Sequence, residues 1–174
     1  MENVPLVHDP QIVEKEARMK EDETRDFLLN LKKEYRSHQI DSVVHQLNSE
    51  VSAAIDCIAC ANCCNKLNPA FTDNEIENIA ADKKISAKQF IENYLDYNET
   101  ENYGVMKFRP CKFLADKKCT IYSIRPESCR EYPHLSRPNF IYRNRSTIHN
   151  YKMCPIVYNV VEQLKRKFPL KTME

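Results

Sequence analysis

The residues of this chain best equipped for chemistry are its eight cysteines, and four of them fall within eight positions, Cys57-Ile-Ala-Cys60-Ala-Asn-Cys63-Cys64. A Cys-x2-Cys pair lets one turn of chain offer two sulfur ligands to one ion, and a thiolate binds zinc at about 2.3 Å. Two such pairs overlap here, Cys57 with Cys60 and Cys60 with Cys63. Three cysteines at this spacing also match the opening of bacterial iron–sulfur ligation, which closes on a cysteine followed by proline. Cys154-Pro155 offers that pair from a distance, and Cys111, Cys119 and Cys129 complete the set. Cysteines buried for packing occur singly, so the dense run points to metal. Eight thiolates are enough for a pair of four-coordinate zinc ions, a pair of [4Fe–4S] clusters or one of each, and spacing does not choose among them.

Whether such thiols are free depends on the compartment. The first sixteen residues, MENVPLVHDPQIVEKE, have no basic start, no long apolar run and no small-residue cleavage site, so no secretory signal is expected. Nowhere do about 18 uncharged apolar residues run together, which excludes a spanning helix and any membrane partner of that kind. The expected location is the cytoplasm, where clustered cysteines stay reduced and hold metal. Adjacent Cys63 and Cys64 are also poorly placed for a disulfide framework.

The chain that must position these sulfurs is 174 residues long with a net charge of +1, which gives no general attraction to nucleic acid or anionic lipid. Its one glycine, Gly104, rules out a glycine-rich phosphate cradle. Asp9-Pro10 is a helix start, and residues 11–37 run in strong helix formers whose highly charged first half is expected to project into solvent as an arm open to a protein partner. Ile40, Val43, Val44, Leu47, Val51 and Ile55 recur at helical steps and predict a packed helix leading into Cys57. Capping boxes at Thr72/Glu75 and Ser86/Gln89 predict two short helices, the second burying Phe90, Ile91, Tyr94 and Leu95. Short alternating stretches between Asn102 and Tyr122 predict a small hairpin or irregular β segment. Arg125-Pro126 and Tyr132-Pro133 bracket a stiff loop carrying Cys129, and Cys154-Pro155 opens an amphipathic helix through Leu164. The expected fold is mainly α with a small irregular β segment, its helices packed around a cysteine-lined metal site. It divides into an N-terminal helical region over 1–55, a cysteine-cluster metal-binding domain over 56–168 and a tail over 169–174.

The run Cys57 to Cys64, the Cys111-Lys-Phe113-Leu114 motif and the long signature from Cys119 through Tyr122, Arg125-Pro126 and Cys129-Arg130 to Pro133 together resemble the YkgJ-type CxxCxxCC family of zinc- or iron-chelating proteins. The resemblance implies that Cys57, Cys60, Cys63, Cys64, Cys111, Cys119, Cys129 and Cys154 are all candidate ligands. It departs from the family at Ala61, where a glycine commonly follows the second cysteine.

Arg125 and Arg130 flank Cys129 and are candidates to offset the excess negative charge of a thiolate-bound cofactor, or else to pair with Glu127 or Glu131. His134 and His149 could each ligate zinc, but with eight thiols present both read as ordinary loop residues. Residues 137–152 interleave Arg143, Arg145 and Lys152 with Phe140, Tyr142 and Tyr151, a composition that can stack on a nucleic-acid strand. Without a wider basic surface nucleic acid is not the expected partner.

Three functions fit these residues. The first is a metal-binding protein holding an iron–sulfur cluster, preferably [4Fe–4S], or zinc or iron ions, in electron transfer, metal handling or support of a modification enzyme. The second follows from a similar cysteine motif in flagellin lysine N-methylases and implies protein methylation, with this chain at most the metal module. The third is a zinc-stapled interaction domain. No acid/base pair or nucleophile constellation stands out on which to rest catalysis.

Overall fold

A computed structural model describes residues 5–170. The chain is mainly helical with two small antiparallel sheets. In chain order the elements are α1 (Pro10–Met19), α2 (Glu21–Glu34), α3 (Ser37–Ala54), α4 (Cys57–Cys60), α5 (Asn62–Lys66), β1 (Ala70–Thr72), α6 (Asp73–Asp82), α7 (Ala87–Tyr94), β2 (Leu95–Asn98) and β3 (Tyr103–Met106). There follow β4 (Leu114–Ala115), β5 (Lys118–Cys119), α8 (Glu127–Arg130), α9 (Asn144–Tyr151) and α10 (Pro155–Lys167). They fall into two compact units, the first made of Met1–Cys57 with Pro133–Glu174 and the second of Ile58–Tyr132. The tail expected at 169–174 lies outside the described residues from position 171 onward.

The first unit is a helical assembly centred on α10. Pro155 sits in the first turn of α10, where its missing N–H costs nothing, and Ile156, Val157, Val160, Val161 and Leu164 are all buried. That face packs on α3, which contributes Ile40, Val44, Leu47 and Val51 at helical spacing. Each such side chain is worth about 1.5–3 kcal/mol relative to exposure, so this seam dominates the unit. Buried Asn159 donates to the carbonyls of Val7 at 2.8 Å and Pro155 at 2.7 Å, and its own oxygen accepts from Val7 N at 3.0 Å. This clasp seats the stretch before α1 against α10.

The expected solvent-projecting arm is not observed. Val13 and Ala17 of α1 are fully buried and the helix packs against α10. Small apolar residues four apart give enough of a face when anchored by polar partners: Tyr158 donates to Glu16, and Lys20 Nζ reaches Glu162 Oε2 at 2.7 Å. The expected continuous helix also breaks at Lys20, whose backbone leaves helical angles at φ −104°, ψ 14°.

The second unit is built on a different core: Phe71, Ile76, Ile79, Phe90, Leu95, Met106, Phe113 and Ile121. Phe90 stacks on Phe113 with centroids 5.9 Å apart, and Phe71 meets both rings edge-on at 6.1 and 6.4 Å. A three-stranded sheet of order β1-β3-β2 covers this core, with Gly104 opposite both Phe71 and Tyr97. The single glycine is there for close approach, because a β-carbon at Gly104 would lie 2.6 Å from Leu95 Cδ1. Both predicted capping boxes close their helices: Thr72 N donates to Glu75 Oε2 at 2.9 Å and Gln89 N to Ser86 Oγ at 3.2 Å. The hairpin expected between Asn102 and Tyr122 is β4–β5, turned by Asp116 and Lys117 at φ 48° and 61°. Two strands lie outside that expectation, β1 and β2; Leu95, predicted to be helical, instead opens β2.

Glu162 links three elements of the first unit. Lys165 Nζ lies at 2.8 Å, Lys20 Nζ at 2.7 Å, and Tyr151 donates its hydroxyl at 2.9 Å. Burial alone would raise the carboxyl, but the hydrogen bonds from Lys165 and Lys20 outweigh it and hold Glu162 below the usual carboxylate value of 4.5. A depressed carboxyl contributes stability above its unfolded pKa and loses it as pH falls through the folded one. Unfolding followed by circular dichroism is therefore expected to show the first unit weakening below about pH 4.5. Glu162→Gln should cost about 1–2 kcal/mol at neutral pH and flatten that acid limb.

Candidate metal centre

The second unit holds six of the eight cysteines, Cys60, Cys63, Cys64, Cys111, Cys119 and Cys129, all half-buried. Exposed Cys57 and buried Cys154 belong to the first unit, and none of the eight is in a disulfide. His134 and His149 are also in the first unit.

Four segments deliver the six sulfurs. The first is the pair of one-turn helices α4 and α5, joined by Ala61 in the left-handed region at φ 47°, ψ 13°. The turn thus has the conformation that glycine adopts most easily, and alanine takes it up with its methyl buried. Within α5, Cys63 Sγ and Cys64 Sγ are 4.0 Å apart.

The second segment arrives beside the first through the backbone, since Cys111 N donates to the Cys64 carbonyl at 2.8 Å. A turn closed by Leu114 N on the Cys111 carbonyl at 3.0 Å then leads into β4, where Leu114 pairs with Cys119 of β5. Thr120 fixes this hairpin by donating both its N–H and its hydroxyl to the Phe113 carbonyl. Because Phe113 lies in the aromatic core, Cys111 and Cys119 are held at the core's rim.

Cys129 comes from α8, read from sequence as a stiff loop and observed as a single helical turn following Pro126. Two long-range bonds dock it. Ser128 Oγ donates to the Ala70 carbonyl of β1 at 2.8 Å, and Glu127 N donates to Glu75 Oε1 at 2.6 Å. Glu75 therefore both caps α6 and anchors α8, a role that its place in the capping box does not announce.

The electrostatics tie these segments together. Burial pushes the Cys129 thiol up to about 12, with further contributions from negative charge on Cys64, Cys111 and Cys119. Burial likewise raises Cys111, to which charge on Cys64 and Cys119 adds. Cys119 is raised by burial and by Cys64, with Arg125 and Lys83 partly offsetting. Cys64 moves the other way, to about 7, because the Cys63 thiol hydrogen-bonds to it against the effect of burial. Charge at Cys64 is thus felt at three cysteines from separate stretches of chain.

Of the two candidate arginines, Arg125 lies with its guanidinium 3.7 Å from the Tyr122 ring centroid and donates to the Tyr122 carbonyl at 2.6 Å. Arg130 donates to the Arg125 carbonyl at 2.7 Å and sits 3.9 Å from Glu75, rather than pairing with Glu127 or Glu131 as the sequence alone allows. The positive charge of Arg125 acts on Cys119.

The donor chemistry suits a borderline or soft cation, since thiolates select zinc, copper(I) and iron–sulfur clusters. The side chains do not form a closed shell: among the described residues no three of His, Cys, Asp and Glu converge as a metal site. The second unit brings Cys111 to the Cys64 backbone and holds Cys111 and Cys119 at one rim of its core, but the cysteine-lined metal site expected among the helices is not formed by the described residues. The chain belongs to the CxxCxxCC family, described as a "putative zinc- or iron-chelating domain", whose match covers residues 56–155. Family membership supports binding of zinc or iron in general. No curated protein and no solved structure matches the chain.

Alanine in the left-handed region is strained by about 1 kcal/mol or more relative to glycine. Ala61→Gly is therefore expected to raise the melting temperature of the reduced protein, by about 0.5–1 kcal/mol in stability, and to leave metal content unchanged. A lower melting temperature would show that the buried methyl contributes more than the strain costs.

Proposed function

We propose that this protein holds zinc or iron through cysteine thiolates, with Cys60, Cys63, Cys64, Cys111, Cys119 and Cys129 as the donors of the second unit. Cys57 and Cys154 remain candidate donors through the family motif. The observation that carries the proposal is the backbone bond of Cys111 to the Cys64 carbonyl together with the β4–β5 hairpin that holds Cys111 and Cys119 at one rim of the core, with charge on Cys64 acting on both. A cation among them would offset the burial and mutual repulsion that keep these thiols protonated and would expel protons on binding.

An iron–sulfur cluster is the form favoured by the overlapping Cys-x2-Cys pairs, and zinc is the alternative. A cluster would make the protein an electron carrier or a handler of metal, with Arg125 supplying counter-charge beside Cys119. The location that goes with such a role is the cytoplasm, where thiols stay reduced; no helix among the described residues is long and apolar enough to cross a membrane.

Purification without oxygen, a visible absorption spectrum and quantification of iron, acid-labile sulfide and zinc test this. Brown protein with matching iron and sulfide is the expected result, and colourless protein with bound zinc would select the alternative. Protein free of both metals that also fails to take up either under reducing conditions would contradict the proposal. In the loaded protein, Cys64→Ser should remove most of the bound metal.

A further inference from the structure

The stretch 137–152 has the composition of a nucleic-acid strand binder, but the structure divides its aromatic residues. Phe140 and Tyr151 are buried at 0% and 1% exposure, whereas Tyr142 is 71% exposed. One open ring cannot provide successive stacking platforms along a strand. It can stack on one.

Tyr142 stands at the edge of a wide, shallow groove along α9 in the first unit. Arg143, Arg145, His149 and Lys152 line it with half-buried Ile148, and no carboxylate is among the lining residues. Arg145 and His149, four apart, lie on one side of α9, with Tyr142 in the turn before the helix and Lys152 at its C-cap. Arg143 is fixed by donating to the carbonyls of His134 at 2.6 Å and Arg137 at 2.5 Å, with the Asp41 carboxylate acting on it from α3, so it contributes only part of its charge to the groove. Lys152 is paired with Glu21 at 2.5 Å, which leaves exposed Arg145 as the guanidinium best placed to meet a ligand.

We propose that this groove binds a small phosphate-bearing ligand with a planar ring, of nucleotide size: Arg145 engages the phosphate, Arg143 adds fixed positive charge, and Tyr142 stacks on the ring. A guanidinium matches phosphate oxygens in a bidentate fork, and an exposed tyrosine offers a face to any flat heterocycle. No chemical step is involved, and the site belongs to the first unit.

Calorimetric titration of the full reduced chain with ADP, and separately with inorganic pyrophosphate, tests the assignment without added divalent metal. Both Tyr142 and Arg145 are exposed, so their substitution spares the fold. Arg145→Gln is expected to weaken both probes by about tenfold, the loss of one charge-assisted contact. Tyr142→Ala should weaken ADP by about fivefold or more and leave pyrophosphate unchanged. Absence of binding, or binding indifferent to Arg145→Gln, would overturn the proposal. So would single-stranded oligonucleotides that bind more tightly with each added nucleotide, since that would make the groove part of a strand track.

Discussion

Thiolates drawn together repel one another, and burying them raises the cost of their charge; the protonation of the cysteines in the second unit depends on that constraint. Burial pushes the Cys129 thiol to about 12, and Cys111 and Cys119 are raised as well. Left alone, such groups keep their protons and contribute as weakly polar core-rim residues. A multivalent cation changes the sign of the local field, and the same burial that opposed ionisation then strengthens sulfur–metal attraction. Cys64, lowered to about 7 beside Cys63, ionises more readily than Cys111, Cys119 or Cys129 and so is the natural first point of contact among these four.

The scaffold meets this constraint with stiffness rather than bulk. Short elements carry the cysteines, and each is held by bonds that originate elsewhere: the Cys64 carbonyl receives Cys111 N, Phe113 anchors the β4–β5 hairpin, and Glu75 and Ala70 dock α8. The stacked Phe90 and Phe113 rings supply the rigid floor under the hairpin. Since displacing one of these segments would move a sulfur, the aromatic core and the thiol rim form one mechanical system.

Much of this was legible in the residues, and the rest was not for identifiable reasons. The helices α3 and α10 announce themselves through apolar residues at three- and four-residue steps, and α6 and α7 through their capping boxes, because those signals are local. β1 is three residues, Ala70-Phe71-Thr72, too short to show a period, and Leu95 satisfies a helical pattern as well as the strand it enters. α1 misleads because its buried face is only Val13 and Ala17 amid many charges, and its docking depends on Tyr158 and Glu162, more than a hundred positions away. Among the cysteines, type and spacing identify a chelating motif. Which sulfurs are coupled depends on Cys111 folding back onto Cys64 and on α8 docking to β1, contacts that no spacing encodes. The nucleic-acid composition of 137–152 likewise says nothing about which rings are buried.

X-ray absorption at the metal edge of protein purified without oxygen tests the central claim most directly, because it reports the donor atoms themselves. A first shell of sulfur at about 2.3 Å, four scatterers per metal, is the expected spectrum for ions or clusters held by these cysteines. A shell dominated by nitrogen or oxygen at about 2.0–2.1 Å would contradict it, since the thiols would then not be what holds the metal.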